Sequence, residues 1–133
     1  MVYVVTGRAG VLDAVKAALK TDAVVHCRNA NETIAAVVPR KPSKSECAII
    51  DLASVPDAER IITFIQSSPS VANLRIVALC SDEQYDALPE HVAISLNGVI
   101  LTPYSAMDIA SVVASICGPY DSGADIERQG SAP

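Results

Sequence analysis

The sequence predicts a single α/β domain built on a five-stranded parallel sheet with helices on both faces. Three observations carry that expectation. Five short apolar runs, rich in Val and Ile, are spread along the 133 residues. The runs are apolar throughout and do not alternate with polar residues, as expected of strands covered on both faces. Segments with apolar residues at helical spacing separate them, and strands alternating with helices pair in parallel through crossover connections. At roughly 100–200 residues per domain, a chain of this length makes one. It is large enough to bury about two-thirds of its unfolded surface without disulfide or metal staples.

Val2 to Val5 is the first strand. Gly7 and Gly10 break it, and Val11, Leu12, Val15, Ala18 and Leu19 then mark an amphipathic helix over residues 9–20. Ala23 to Cys27 is the second strand. Asn29 or Asn31 caps a helix running to about Val38, with Ile34, Val37 and Val38 on its inner face. Pro39-Arg40-Lys41-Pro42-Ser43-Lys44 is a basic loop that stops it. Cys47 to Leu52 is the third strand. Pro56 suits the first turn of the next helix, Asp57 and Glu59 favour its positive end, and Ile61, Ile62, Phe64 and Ile65 form its stripe.

Leu74 to Leu79 is the fourth strand. Asp82 to Leu88 reads as a short helix stopped by Pro89, and Gly98 to Leu101 as the fifth strand. Ser105 with Asp108 three residues later makes a capping-box-like start to a last helix, which Met107, Ile109, Val112, Val113 and Ile116 continue and Gly118 ends. The domain therefore spans residues 1–118. The polar residues 119–133 read as a flexible C-terminal tail or the start of a linker.

Composition excludes several functions. Ten basic against fifteen acidic residues give a net charge of -5. Direct nucleic-acid binding is therefore not expected, since phosphate affinity needs basic density. With no Trp and one Phe, stacking platforms for single strands are also missing. No run approaches the ~18 apolar residues of a membrane span, and no signal-peptide pattern opens the chain. Cys27, Cys47, Cys80 and Cys117 form no CxxC pair, and His26 and His91 lack zinc-ligand spacing. The expected state is cytoplasmic, reduced and metal-free, with inert thiols.

In parallel sheets, chemistry gathers at the carboxyl ends of the strands. Those positions are Thr6, Gly7 and Arg8 after the first strand, Asp51 at the third, Cys80, Ser81 and Asp82 at the fourth, and Leu101, Thr102 and Pro103 at the fifth. "CAIIDLASVP", "RIVALCSD" and "GVILTPYSAMDI" resemble the third strand, the fourth strand and the fifth-strand segment of the receiver domains of bacterial two-component response regulators. The resemblance covers residues 2 to about 117 and implies the flavodoxin-like form of the sheet. Cys80 stands 29 residues after Asp51, and Thr102 22 after Cys80, which suits the family.

The resemblance also implies a site. In the family an acidic pair after the first strand joins the acceptor aspartate on Mg²⁺, a hydroxyl follows the fourth strand, and a lysine follows the fifth. Mg²⁺ wants carboxylate oxygens, and a transferring phosphoryl group needs cations placed in advance. Of that set only Asp51 is present. Thr6 and Gly7 match the acidic pair, Cys80 the hydroxyl (with Ser81 beside it), Thr102 the lysine, and Val99 the aromatic switch position. Pro103 and Tyr104 keep the family's pattern, and Pro56 lies one residue further from Asp51 than is usual.

The resemblance is thus to an atypical receiver, or pseudo-receiver, whose degenerate pocket is Thr6, Gly7, Arg8, Asp51, Cys80, Ser81 and Thr102. The expected function is signalling by protein–protein contact, with no catalysis, no cofactor and no Mg-dependent control. The partner is a kinase, an output domain or a second copy. One alternative is a phosphoacceptor that uses Asp51 with Mg²⁺. A weaker one is a small-anion or nucleotide binder at the Thr6–Gly10 turn, where backbone N–H groups precede a helix. Asp51 otherwise serves as a strand-end cap or meets Arg8, which fills the space of the missing cation. The family's contact face falls on Val99, Tyr104 and a last helix with only Asp108 charged. Its expected outer side is Ala106, Ala110, Ser111, Ala114 and Ser115, and charge-poor surface suits an interface core.

Overall fold

A computed structural model describes residues 1–21, 23–43 and 45–117. Strands β1 (Val2–Val5), β2 (Val24–Cys27), β3 (Cys47–Asp51), β4 (Arg75–Cys80) and β5 (Gly98–Leu101) form one sheet in the order β2-β1-β3-β4-β5. Every neighbouring pair is parallel, as the solid apolar strands predict. The helices are α1 (Ala9–Leu19), α2 (Ala30–Val37), α3 (Ala58–Ser67), α4 (Asp82–Asp86), α5 (Glu90–Ala93) and α6 (Ala106–Cys117). This is the five-stranded flavodoxin-like arrangement.

The two-residue alternation of the strands divides the core into two layers. Val2, Val4, Cys47, Ile49, Val77, Leu79 and Ile100 pack with Val11 and Val15 of α1 and with Ile109 and Val113 of α6. Tyr3, Val5, Ala48, Ile50 and Ile76 pack on the other face with Ala30 and Val37 of α2, Ile61, Ile62 and Ile65 of α3, and Val92 of α5. The chain leaves β1 toward β2, then crosses back to β3. The carboxyl ends of β1 and β3 therefore flank the point where strand order reverses, the usual place for a site in such sheets.

Several local expectations hold at their caps. The Asn29 side chain accepts the Glu32 N–H at 2.9 Å, which selects Asn29 over Asn31 as the α2 cap. At the start of α6 the Ser105 N–H donates to Asp108 Oδ2 at 2.8 Å, and the Asp108 N–H donates to Ser105 Oγ at 3.2 Å. Aspartate thus performs the reciprocal bond usually made by Glu or Gln.

Others are corrected. Gly10 lies inside α1 and no turn needs it. Val38 is exposed, because α2 tightens into a 3-10 turn over Val38–Arg40 that rotates the side chain off the inner face. Pro56 precedes α3, which begins at Ala58 behind Asp57. Pro89 ends one helical stretch but also opens the single turn α5, since proline is preorganised to start a helix. Met107 is 76% exposed. It stands two residues, about 200°, around the helix from buried Ile109. Gly118 and the tail 119–133 lie outside the described residues, as does Lys44 of the basic loop.

Candidate functional site

Strand alternation turns Thr6, just past β1, and Asp51, the last residue of β3, to the same face at the reversal point. The Thr6 N–H is tied to Cys27 O at 2.9 Å, and His26 Nε2 lies 2.9 Å from Thr6 O, so the end of β1 is held from β2. After β3 the chain turns tightly: the Ser54 and Val55 N–H groups both bond Asp51 O. That turn brings Ser54 back over the carboxylate of Asp51.

Asp51 is 1% exposed, and four hydrogen bonds reach its two oxygens. Arg8 donates from Nε to Oδ2 at 2.8 Å and from Nη2 to Oδ1 at 2.7 Å, a two-point fork. The Thr6 hydroxyl donates to Oδ2 at 2.8 Å and the Ser54 hydroxyl at 2.7 Å. Behind these hydroxyls stand two backbone donors. The Gly7 N–H bonds Ser54 Oγ at 2.9 Å, and the Arg8 N–H bonds Thr6 Oγ1 at 3.0 Å. Each turn amide therefore feeds a hydroxyl, and each hydroxyl feeds the carboxylate.

The electrostatics follow from these partners. Burial pushes the Asp51 carboxyl upward, but the hydrogen bonds from Arg8, Ser54 and Thr6 and the Arg8 charge outweigh it. The carboxyl is held below its ordinary value. An ionised carboxylate has about four acceptor positions. Three of the four bonds fall on Oδ2 and one, from Arg8 Nη2, on Oδ1, so Oδ2 is fully engaged while one Oδ1 lone pair has no partner among the described residues.

The expected pocket residues divide into two groups. Thr6, Gly7, Arg8 and Asp51 come together. Cys80, Ser81 and Thr102 sit at neighbouring strand ends, yet among the described residues no hydrogen bond or ion pair links them to Asp51. Cys80 is the buried last residue of β4, its thiol pushed up by burial and by Asp82. Ser81 caps α4, accepting from the Gln84 N–H while Gln84 Oε1 accepts the Ser81 N–H. Thr102 is exposed, its N–H bonded to Cys80 O at 2.9 Å. Ser54 was not foreseen. Its signal is a hydroxyl three residues past a strand-end Asp, the spacing of a local side-chain turn.

On the expected contact face, Ala106, Ser111, Ala114 and Ser115 are exposed, while Ala110, Val99 and Tyr104 are half-buried. Tyr104 packs against the α1–α6 core. A groove of about 290 Å³ beside β5 is lined by Val99, Ile100, Leu101, Asp108, Ser111 and Val112. No helix among the described residues is long and apolar enough to cross a membrane.

No family model matches the chain, and no curated protein sequence does. Solved structures do resemble it. The receiver domain of NtrX from Brucella abortus has a TM-score of 0.70 at 17% identity, over 88% of this chain and 98% of that one. The chemotaxis response regulator CheY4 of Vibrio cholerae gives 0.68 at 15%, over 86% and 96%. A structure described as adenylate cyclase from Rhodopirellula baltica gives 0.73 at 18%, over 90% and 88%. The fold is therefore the flavodoxin-like fold of response-regulator receiver domains, and the similarity spans nearly the whole of those domains.

The Mg²⁺ site that this fold carries in the response-regulator family does not fit these residues. Thr6 and Gly7, at the end of β1, carry no carboxylate, and the one carboxylate present is forked by Arg8 and bonded at Oδ2 by Thr6 and Ser54. Among the described residues no three His, Cys, Asp or Glu side chains group to hold a metal ion.

Proposed function

We propose that the chain is an atypical receiver domain that signals through protein–protein contact and is not controlled by Mg-dependent phosphorylation of Asp51. One observation supports this reading above the rest: the Arg8 guanidinium forks onto both oxygens of the buried Asp51 carboxylate, and the Thr6 and Ser54 hydroxyls also donate to Oδ2. The Arg8 guanidinium stands where a phosphoacceptor would need a metal and an incoming phosphoryl group. Asp51 on this reading is a structural anion that ties β3 to the β1–α1 turn. The anion-binding alternative is disfavoured because the Gly7 and Arg8 N–H groups already donate inward.

On this reading the contact surface is the segment from α5 to α6. Ile94, Leu101 and Met107 are 77%, 44% and 76% exposed, and they are three of the five large hydrophobic residues so exposed among the described ones. Leu101 borders a groove shared with α6, and with Met107 and the charge-poor outer side of that helix it offers apolar area suited to a protein partner: a kinase, an output domain or a second copy. The expected setting is the cytoplasm.

A Mg²⁺ titration followed by thermal unfolding tests the metal half of this reading. A ligand that binds only the folded state raises its stability. The expected melting temperature is unchanged, within the effect of matched Ca²⁺ and ionic strength. A Mg²⁺-specific rise lost in Asp51→Asn would overturn the proposal.

A further inference from the structure

A polar cavity of about 370 Å³ opens at the amino edge of the sheet, the end opposite Asp51. Its walls come from the end of α3, the loop into β4 and the residue before β5. Gln66, Asn73, Arg75 and Asn97 supply the polar groups, and Ala72 and Leu74 the rest. Local bonds fix these walls. The loop from α3 to β4 folds as two turns, Val71 N–H to Ser68 O and Leu74 N–H to Val71 O, both at 3.0 Å, with the Val71 and Leu74 side chains buried as anchors. Asn97 clasps Ile76 twice: its N–H donates to Ile76 O and its Oδ1 accepts the Ile76 N–H, both at 2.8 Å. Gln66 Nε2 reaches Ser95 O at 3.5 Å.

This lining holds a cation and no anion, Arg75 being its one charged residue. Among the described residues Arg75 makes no ion pair, and its Nε is buried without a hydrogen-bond partner. The neighbouring carboxylate is engaged elsewhere. Glu46 O accepts the Arg75 N–H at 3.1 Å, but Glu46 Oε1 takes the Ser43 N–H at 2.9 Å and Oε2 lies 3.9 Å from the Met1 amino group. Taking a charge out of water is costly unless it is paired. The clasp on Ile76 spends Asn97 Oδ1 and leaves the two N–H donors of Nδ2 without a partner among the described residues. One guanidinium beside neutral amides carries a single positive charge, which a monoanion matches and a dianion exceeds. The planar guanidinium fork suits a carboxylate.

We propose that this cavity binds a small monocarboxylate with a second polar group, the class of the short hydroxy acids. Arg75 pairs with the carboxylate, and the amides of Asn97, Asn73 and Gln66 bond the polar body of the ligand. Binding involves no covalent step and no residue of the Asp51 site.

Sodium lactate titrated into the nitrogen-15-labelled full chain at constant ionic strength tests this, read by NMR at the Asn97 side-chain amide and the Arg75 Nε–H. Lactamide is the neutral isostere and inorganic phosphate the competing oxyanion. The expected result is a saturable shift of both signals with lactate, none with lactamide, and weaker binding of phosphate. Arg75→Gln lowers the lactate affinity by about 10-fold or more, and Arg75→Lys recovers only part of it, since an ammonium lacks the fork. Shifts that rise linearly without saturation, or that lactamide reproduces, overturn the proposal. So does phosphate binding tighter than lactate, or an unchanged lactate affinity in folded Arg75→Gln. Should Arg75→Gln fail to fold, the contrast between lactate and lactamide on the wild type still decides.

Discussion

Arg8 and Asp51 meet in a two-point contact across the carboxyl edge of the sheet, Nε to Oδ2 at 2.8 Å and Nη2 to Oδ1 at 2.7 Å. Asp51 is 1% exposed, whereas half of the Arg8 side chain is in water. The arginine therefore loses little hydration, while the carboxylate depends on it. Removing one partner of a buried pair leaves an uncompensated charge, which is far more costly than the pair itself is stabilising.

Arg8→Ala is accordingly expected to destabilise the domain by about 2 kcal/mol, below the roughly 3–5 kcal/mol of a fully buried broken pair because Arg8 is half-exposed. In thermal unfolding that is a fall of roughly 8 °C for a domain of this size. Arg8→Lys recovers only part of it, since an ammonium cannot make the planar fork. An unchanged melting temperature in Arg8→Ala contradicts a structural role for the contact.

The pH dependence has a defined sign. The folded Asp51 carboxyl titrates below its ordinary value. Its contribution is complete above the unfolded carboxyl range near pH 4, and it is lost as pH falls through the lower folded value. The stability gap between wild type and Asp51→Asn should therefore be widest at neutral pH and should shrink below about pH 4. Urea unfolding at pH 7, 4 and 3 measures it. A gap that grows on acidification is the contrary result.

Ser54 links the post-β3 turn to the site. Ser54→Ala removes a donor to Asp51 Oδ2 and the acceptor of the Gly7 N–H. The expected loss is about 1–2 kcal/mol, with the Asp51 titration moved upward. Carboxyl-carbon NMR follows the titration, and the idea fails if Asp51 titrates as in the wild type.

The sheet and its layers were legible because strand and helix periods dominate this sequence. Five solid apolar runs left few topologies, and the pairing of Arg8 with Asp51 was among the readings open for that carboxylate. The rest was hidden for physical reasons. Ser54 acts through a turn whose closure depends on two backbone bonds to Asp51 O, and no residue pattern announces them. α5 is one turn long, too short for periodicity to reveal. Gly7 breaks the first apolar run of the sequence. In the fold its backbone is not in the left-handed region, and a Cβ there would meet Ser54 only at ordinary contact distance.

Two other glycines should behave oppositely. A Cβ on Gly98 would overlap Ile116 Cδ1 and come within 2.9 Å of Val112 Cγ1, because α6 packs closely on β5 there. Val112 is β-branched and stiff, so Gly98→Ala is expected to cost about 1–3 kcal/mol. Gly10 has open space in α1, and Gly10→Ala should stabilise by about 0.5–1 kcal/mol. Denaturant midpoints of the two variants decide the matter; the same sign for both would mean the packing of α6 on β5 is misjudged.

The most direct measurement is intact mass after incubation with a small phosphodonor, with and without Mg²⁺, on the wild type and on Asp51→Asn. A carboxylate forked by Arg8 and bonded by Thr6 and Ser54 predicts no added phosphoryl group in either protein under either condition. A Mg²⁺-dependent gain of one phosphoryl group in the wild type, absent from Asp51→Asn, would contradict the account.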